Sequence, residues 1–213
     1  MAVGESELDL LAFAARLQEV CSGGWRLRTL TGFFCLWLQE HFRTADRIGD
    51  ELLKRRVWTA GDDSSILIES ATRWRPNMTE KRPGLIIKRN SQKVLRQIIA
   101  DRMMGFGAGS PGGKHVTWLT GSHTVFCIAG EGGEAELLAY EVLDELIGFS
   151  ALLRGPLGFV KLLVSEAGDL GILEEASQNF VVPITVSYVY EHGWTLRNAL
   201  PRLKTIDLSL FQP

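Results

Sequence analysis

The pattern of hydrophobic and polar positions is most regular between residues 121 and 191, where it predicts a strand, a helix, a strand and a long strand. Residues 124–129 (TVFCIA) and 159–164 (FVKLLV) are short apolar runs rich in β-prone residues. From residue 180 to 191, every second side chain is apolar, as in a strand with one buried face. That face is predicted to carry Phe180, Val182, Ile184, Val186, Tyr188 and Tyr190.

Between the first two strands, residues 134–153 predict a long amphipathic helix. Glu134 places negative charge in the first turn, where the helix dipole favours it, and Pro156 cannot continue the helix. We expect the apolar face to cover one face of the sheet. That face contains Ala135, Leu138, Val142, Leu146, Phe149 and Leu153, while Glu136, Glu141, Asp144 and Glu145 lie mostly off it.

Two local features predict how the last strands pair. The sequence GDLG at residues 168–171 favours a turn, and strands joined by a turn pair antiparallel. Pro183 has no N–H to donate to a neighbouring strand, so the last strand is expected to contain an edge segment.

The first 60 residues predict helices. A stripe of apolar residues runs from 10 to 21. Residues 30–42 (LTGFFCLWLQEHF) are apolar nearly all round, which indicates a helix that is well buried or paired with a partner. Residues 44–58 predict a third, charged helix. A loop at residues 61–65 then marks a boundary.

The segment between this boundary and the central unit predicts short strands. Residues 66–69 and 83–89 are strand-like, and a polar connection at 73–82 contains the turn formers Pro76 and Asn77. Residues 91–102 suit either a helix or a strand. A glycine-rich loop is predicted at 103–114, and residues 115–119 resume a strand.

These elements predict an α+β fold, with a mainly antiparallel sheet, a long packed helix and a helical N-terminal segment. The predicted organisation is a helical segment at 1–60, an α+β domain at 61–197 and a C-terminal tail at 198–213. A chain of 213 residues with 46% hydrophobic content suits one domain with an extension.

Charge and cysteine content narrow the functional classes. The net charge of −2 gives no overall basic field for nucleic acid. Cys21, Cys35 and Cys127 form no CxxC pair, which indicates buried thiols in a reducing compartment. The acidic N-terminus does not resemble a secretory signal, and the apolar run at 30–38 is too short to span a bilayer. We therefore expect no membrane partner.

Motifs for catalysis or cofactor binding are incomplete. The loop GAGSPGGKH lacks the P-loop spacing, because Ala108 stands where the first glycine belongs and His115 replaces the Mg²⁺-binding hydroxyl. The four histidines do not cluster at ligand spacing. Acids on the polar face of the 134–153 helix are ordinary, and no nucleophile motif is visible. We expect no catalytic residues, no cofactor, no metal and no bound nucleotide.

A basic stretch at residues 73–102 is the main candidate site. It is either a solvated face or a surface for an acidic partner or DNA. The glycine-rich loop that follows is costly to order and is expected to become ordered only on contact with a partner. The partner- or channel-facing candidates are Arg73, Arg75, Lys81, Arg82, Lys88, Arg89, Lys93, Arg96, Arg102, Gly105, Gly107, Gly109, Gly112, Gly113 and Lys114.

The order ILIES, RPGLIIKRN, GSHTVFCIAG, GEAELLAYEVLDELIGFSALLRG, GFVKLLVSE and FVVPITVSYVYEHGWTL resembles the tail-terminator or tail-completion proteins of tailed bacteriophages. The resemblance covers roughly residues 62–197 and lies in element order and character. It implies a homo-oligomeric ring, commonly a hexamer, in the virion neck at the head-proximal end of the tail.

Such a ring stops growth of the tail tube and joins it to the head-side connector, and it would contact DNA non-specifically in the channel. The implied location is the virion, with the host cytoplasm during assembly. The long helical lead-in departs from the family and favours, as an alternative, another neck or head–tail adaptor protein. A small α/β enzyme is the alternative of a different class.

Overall fold

The structure, a computed structural model, describes residues 27–61, 64–80, 82–95, 102–104, 114–154, 158–174 and 178–195. Within them, the chain forms two α-helices and one sheet of eight strands. The helices are α1 (Leu27–His41) and α2 (Gly132–Arg154). The strands are β1 (Leu67–Ser70), β2 (Gly84–Arg89), β3 (Lys93–Leu95), β4 (Arg102–Met104), β5 (Lys114–Ala129), β6 (Phe159–Ala167), β7 (Gly171–Ile172) and β8 (Phe180–Thr195). The α+β prediction is confirmed.

The sheet is organised around β5 and β8, which pair antiparallel over all sixteen residues of each strand. Strands β2, β3 and β4 follow one another along the other edge of β5, and β6 and β7 lie along the other edge of β8. The pair β1–β2 is parallel, and every other pair among these strands is antiparallel. The predicted antiparallel pairing of the strands at 159–164 and 180–191 is therefore confirmed.

The long helix packs on the sheet with the predicted face. On α2, Ala135, Leu138, Val142 and Leu146 are buried, and Phe149 is half-buried against the same core. On β8, five of the six predicted residues are buried, from Val182 to Tyr190, and Phe180 is half-buried. Burying apolar side chains from both layers supplies the main driving force for this arrangement.

Helix α1 covers the part of the same sheet face that lies over β1 and β2. Its residues Leu30, Phe33, Phe34, Trp37 and Leu38 are all buried in one cluster with the residues from α2, β5 and β8. The nearly all-apolar segment at 30–42 is thus mostly buried within its own chain, with Leu36 left exposed. The predicted boundary between a helical segment and an α+β domain at residue 60 stays a prediction, although α1 shares one hydrophobic core with the elements that follow residue 60.

The predicted third helix at 44–58 is wrong. Only Ala45–Arg47 forms a short 3₁₀ turn, and residues 51–55 form turns. The amides of Gly49 and Asp50 donate to the carboxylate of Glu141 on α2, at 2.9 and 3.2 Å. The Asp50 carboxylate in turn accepts from the amide of Leu52 at 2.8 Å. Side chains therefore take the backbone donors that a continuous helix would have used.

Two predicted boundaries in the middle of the chain are also corrected. The segments at 115–119 and 124–129 form one strand, β5, which continues through Gly121. A Cβ at Gly121 would lie 3.0 Å from the ring of Tyr188, so glycine leaves space for that aromatic side chain. The predicted loop at 103–114 is shorter, because Met104 pairs with Lys114 and both belong to strands. Residues 93–95 are strand, while 96–101 lie outside the described residues.

The edge segment predicted at Pro183 is confirmed locally: β8 has neighbours on both sides, but neither β6 nor β7 pairs with Pro183. The register of β6 with β8 ends at Ile184, and that of β7 begins at Val181. Pro183 therefore occupies the interruption between β6 and β7, where its carbonyl accepts from the amide of Gly168 at 2.8 Å. The absent N–H faces this gap, so the interior of the sheet tolerates the proline.

Candidate functional site

A groove of about 960 Å³ opens between α1 and the chain that follows β1. Helix α1 forms one side, residues 69–73 form the other, and the last residues of β2 close the remaining side. From α1 the groove is lined by Thr31, Gly32, Cys35, Leu36 and Gln39. Leu36 is 43% exposed, although the residues on either side of it are buried, so one apolar side chain of α1 remains available at this groove.

Side chains cover the outer edge of β1, the strand that leads into the groove. The Gln39 amide of α1 donates to the Ile68 carbonyl at 3.2 Å, and the Glu69 carboxylate accepts from the amide of Ser70 at 2.9 Å. Beyond Ser70 the chain turns, because the amides of Arg73 and Trp74 both donate to the Ser70 carbonyl. Edge groups satisfied in this way cannot pair with another strand. The groove therefore presents side chains, not a free strand edge.

Two of the predicted basic residues place positive charge at this groove. Arg73 is 77% exposed, and its Nε lies 3.6 Å from the Glu69 carboxylate. Arg89 is exposed and lies directly across from His123 in the β2–β5 pair. Lys88 also lines the groove, but its ammonium lies 5.9 Å from the centre of the Phe126 ring on the other face of the sheet. Side chains of adjacent residues in a strand point to opposite faces of the sheet, so the side chains of Lys88 and Arg89 lie on different faces.

The floor of the groove contains no reactive thiol. Burial, with the nearby charge of Glu69, raises the pKa of the Cys35 thiol to about 12. Thiolate is the nucleophilic form, so Cys35 is inert at neutral pH. Cys127 is buried in the core, and burial likewise raises its pKa.

Beneath the groove, a buried histidine joins α1 to β5. A hydrogen bond of 2.9 Å connects Thr31 Oγ1 and His123 Nε2. Burial, with the positive charge of Arg89, lowers the pKa of His123 to about 4, so the ring is neutral at pH 7. His123 packs against Phe34 and Tyr188. Within the described residues, His123 Nδ1 and the Tyr188 hydroxyl have no hydrogen-bond partner.

The remaining predicted residues are not gathered at the groove. Arg75 donates to its neighbour's carbonyl at Trp74, and Arg82 donates to the carbonyl of Ser64. Lys93 is exposed on β3, while Arg102 and Lys114 belong to the β4–β5 hairpin. The described part of the basic stretch is thus dispersed: Arg73 and Arg89 lie at the groove, Arg102 and Lys114 belong to the hairpin, and the charged groups of the other described basic residues lie elsewhere. Lys81, Arg96, Gly105, Gly107, Gly109, Gly112 and Gly113 lie outside the described residues.

A second cluster of titratable groups, His41, Glu141 and Glu145, lies between α1 and α2. His41 Nε2 is 2.8 Å from Glu141 Oε1, and His41 Nδ1 is 3.0 Å from Glu145 Oε2. Trp37 Nε1 donates to Glu145 Oε1 at 2.7 Å. Burial opposes protonation of His41, but the hydrogen bonds to both carboxylates outweigh it and raise its pKa to about 9.

This cluster is built to hold the helices together. Both nitrogens of His41 are occupied by carboxylates on opposite sides of the ring, and His41 and Glu145 are buried. A general base needs a free nitrogen within reach of a substrate, and His41 has none. Among the described residues, no group of three or more His, Cys, Asp or Glu side chains is arranged to hold a metal ion.

Sequence reasoning assigned neither His41 nor Glu145 a buried role. The available signal was the spacing of Glu141 and Glu145, which places both carboxylates on one side of α2. Nothing local to the sequence indicates that this side meets a histidine about a hundred residues away.

Comparison with known proteins adds no family assignment. No protein-family model matches the chain, and a search of curated proteins finds no significant match. In the part of the chain that the structure covers, neither helix is long and apolar enough to cross a bilayer.

Proposed function

We propose that this protein is a structural virion protein of a tailed bacteriophage. It assembles as a homo-oligomeric ring, most simply a hexamer, at the head-proximal end of the tail. The ring terminates the tail tube and joins it to the head-side connector. The resemblance of residues 62–197 in element order motivates the family, and the shape of the β5–β8 pair is the observation that carries the proposal.

The β5–β8 pair extends beyond the part of the sheet where side chains are fully buried. On β8 the buried residues end at Tyr190, which pairs with Leu119; beyond that pair Trp118 is half-buried and Glu191 is exposed. The far end, where Lys114 pairs with Thr195, is about 40 Å along the strand from Phe126, at roughly 3.3 Å per residue. Such an extension suits contact with neighbouring molecules better than it suits a catalytic pocket.

The flanking strand β3 adds apolar contact surface to this extension. All three of its side chains are exposed, including Val94 at 60% and Leu95 at 38%. In the neighbouring hairpin, Lys114 directly follows the segment 105–113, and Arg102 begins the strand that precedes it. Positive residues beside a channel would contact passing DNA through its phosphates, without reading its sequence.

We further propose that the protein is not an enzyme. His41 is held by two carboxylates, both described cysteines are buried, and the open groove is lined by polar, basic and a few apolar side chains with Glu69 as its one described carboxylate. These features support a binding role over catalysis. A neighbouring neck or head–tail adaptor position remains the alternative within the same structural class.

The segment 105–113 provides the test. Because Met104 and Lys114 are paired directly, replacing these nine residues with Asn-Gly should close the β4–β5 hairpin through a two-residue turn. We expect an unchanged melting temperature, but loss of head–tail joining when the variant complements a phage that lacks the wild-type protein. A second variant, with nine Gly and Ser residues, keeps the length and tests the side chains.

Two outcomes would contradict the proposal. Normal yields of complete particles with both variants would show that the segment has no role in joining. A wild-type chain that is monomeric at every concentration in solution, and monomeric in particles, would remove the ring altogether.

A further inference from the structure

The outer face of α2 carries charges and apolar groups that its own subunit does not use. Tyr140 and Ile147 are 65% and 55% exposed, and both lie on the side of the helix that faces away from the sheet. Glu136 and Asp144 are exposed on the same side. The spacing of these four residues, at 136, 140, 144 and 147, follows the helical repeat and forms one stripe.

The acids of α2 divide into two groups. Glu134 pairs with Arg56 at 2.6 Å, and Glu141 and Glu145 hold His41. Within the described residues, Glu136 and Asp144 form no ion pair. The outer stripe therefore combines two unpaired carboxylates with two large apolar side chains, which is the composition of a helix face that binds a basic, partly apolar groove.

The groove beside α1 has the complementary composition. Arg89 forms no ion pair in the described part of the chain, and Arg73 has only the 3.6 Å contact with Glu69. Leu36 supplies an exposed apolar side chain on the α1 side. Gly32 has no atom within 4 Å of the position of a Cβ, so the groove is open beside it.

These two surfaces lie on opposite sides of α1. Trp37 and His41 contact α2, whereas Thr31 and Gln39 line the groove. A subunit cannot bring its own α2 into its own groove without breaking the Trp37 and His41 contacts. A contact between the stripe and the groove must therefore join two copies, and it is head-to-tail because two different surfaces meet.

We propose that the outer stripe of α2 in one subunit docks into the groove beside α1 of the next subunit. This inference rests on the proposed ring and identifies the contact that builds it. Repetition of a head-to-tail contact closes a ring when the rotation between neighbours allows it. Arg73 and Arg89 meet Glu136 and Asp144, and Leu36 meets Tyr140 and Ile147.

Charge reversal tests the contact. One variant carries Arg73→Glu and Arg89→Glu, a second carries Glu136→Arg and Asp144→Arg, and a third carries all four changes. We expect each double variant to raise the concentration for half-assembly about tenfold or more, because like charges then face each other. The fourfold variant should recover assembly, because the charges are again complementary. Sedimentation velocity across a concentration series gives the mass.

The matched control reverses exposed charges on β6, through Lys161→Glu and Glu166→Lys, and should assemble as the wild type does. Melting temperatures of all variants report on folding. Wild-type assembly should also weaken with added salt, which screens exposed charges.

The outcomes separate this contact from the ring itself. If the wild type assembles and neither double variant changes the mass, or if the fourfold variant does not recover, the docking contact is wrong and the ring stands. A groove variant with a lower melting temperature and wild-type mass would place a segment of the same chain in the groove, against the proposal. A wild type that never assembles overturns both proposals.

Discussion

At the scale of single residues, two buried histidines respond to pH in opposite ways. His41 has its pKa raised to about 9 because carboxylates hold both of its nitrogens, which outweighs the effect of burial. His123 has its pKa lowered to about 4, because burial disfavours its charged form and the positive charge of Arg89 lies nearby. The protonated form is stabilised in one case and destabilised in the other.

We predict that the free energy of unfolding falls by about 2 kcal/mol between pH 6.5 and 8.5 because of His41. Its folded-state pKa lies above the unfolded value, so its contribution is fully present below pH 6.5 and is lost as the pH rises through about 9. Urea unfolding at a series of pH values measures the slope.

Two variants assign that slope to His41. His41→Gln should be less stable at pH 6.5 and should lose most of the decline up to pH 8.5. His123→Gln should keep the wild-type decline, because the lowered pKa of His123 affects stability only between about pH 4 and 6.5, where stability falls on acidification. A decline that persists in His41→Gln would show that another group titrates.

At the scale of elements, α2 has three distinct surfaces. One packs on the sheet through Leu138, Val142 and Leu146, and a second carries Glu141 and Glu145 toward α1. The third, outward surface carries the stripe at Tyr140 and Ile147. Helical periodicity alone separates the first surface from the other two, but it cannot tell which polar side meets another element.

We predict that Leu146→Ala lowers the free energy of unfolding by about 2–5 kcal/mol, as expected for a buried leucine that leaves a cavity. Leu146 is 1% exposed in the main core. The adjacent Ile147→Ala is the control, because Ile147 is 55% exposed, and it should change the stability of the isolated subunit by less than about 1 kcal/mol. Equal effects of the two changes in urea unfolding would contradict the packing of α2.

At the scale of the whole molecule, one hydrophobic core connects α1, α2 and the sheet. Phe33, Phe34 and Trp37 of α1 are buried among residues that come from both long strands. Removing α1 would expose the apolar face of β1 and β2, so α1 contributes directly to the stability of the sheet that follows it.

We predict that α1 and the central strands unfold together. In native-state hydrogen exchange, the slowest amides of α1 and of β5 should share one opening free energy and one denaturant dependence. Opening of α1 at markedly lower denaturant than β5 would instead support the boundary predicted near residue 61. Residues 51–55, which form turns and belong to neither helix nor strand, serve as an internal reference for local opening.

Local patterns determined much of this fold. The apolar spacing of α2 and the alternation in β8 depend on residues that are close in sequence, and the structure confirms both. The turn predicted at 168–171 is wrong, because the chain continues from β6 into β7 along the same edge of β8 and reverses only after Ile172. The basic character of residues 73–102 was also visible from sequence. The dispersal of these residues over different parts of the fold was not visible, because strand alternation and register separate neighbouring side chains.

Only the tertiary structure decided the remainder, because it depends on partners distant in sequence. Residues 44–58 have helical spacing, yet Glu141 takes the amides of Gly49 and Asp50. The sequence pattern places Glu145 on the polar side of α2, yet its contacts with His41 and Trp37 stabilise the carboxylate in a buried position. In each case a long-range polar or backbone contact outweighs a local preference.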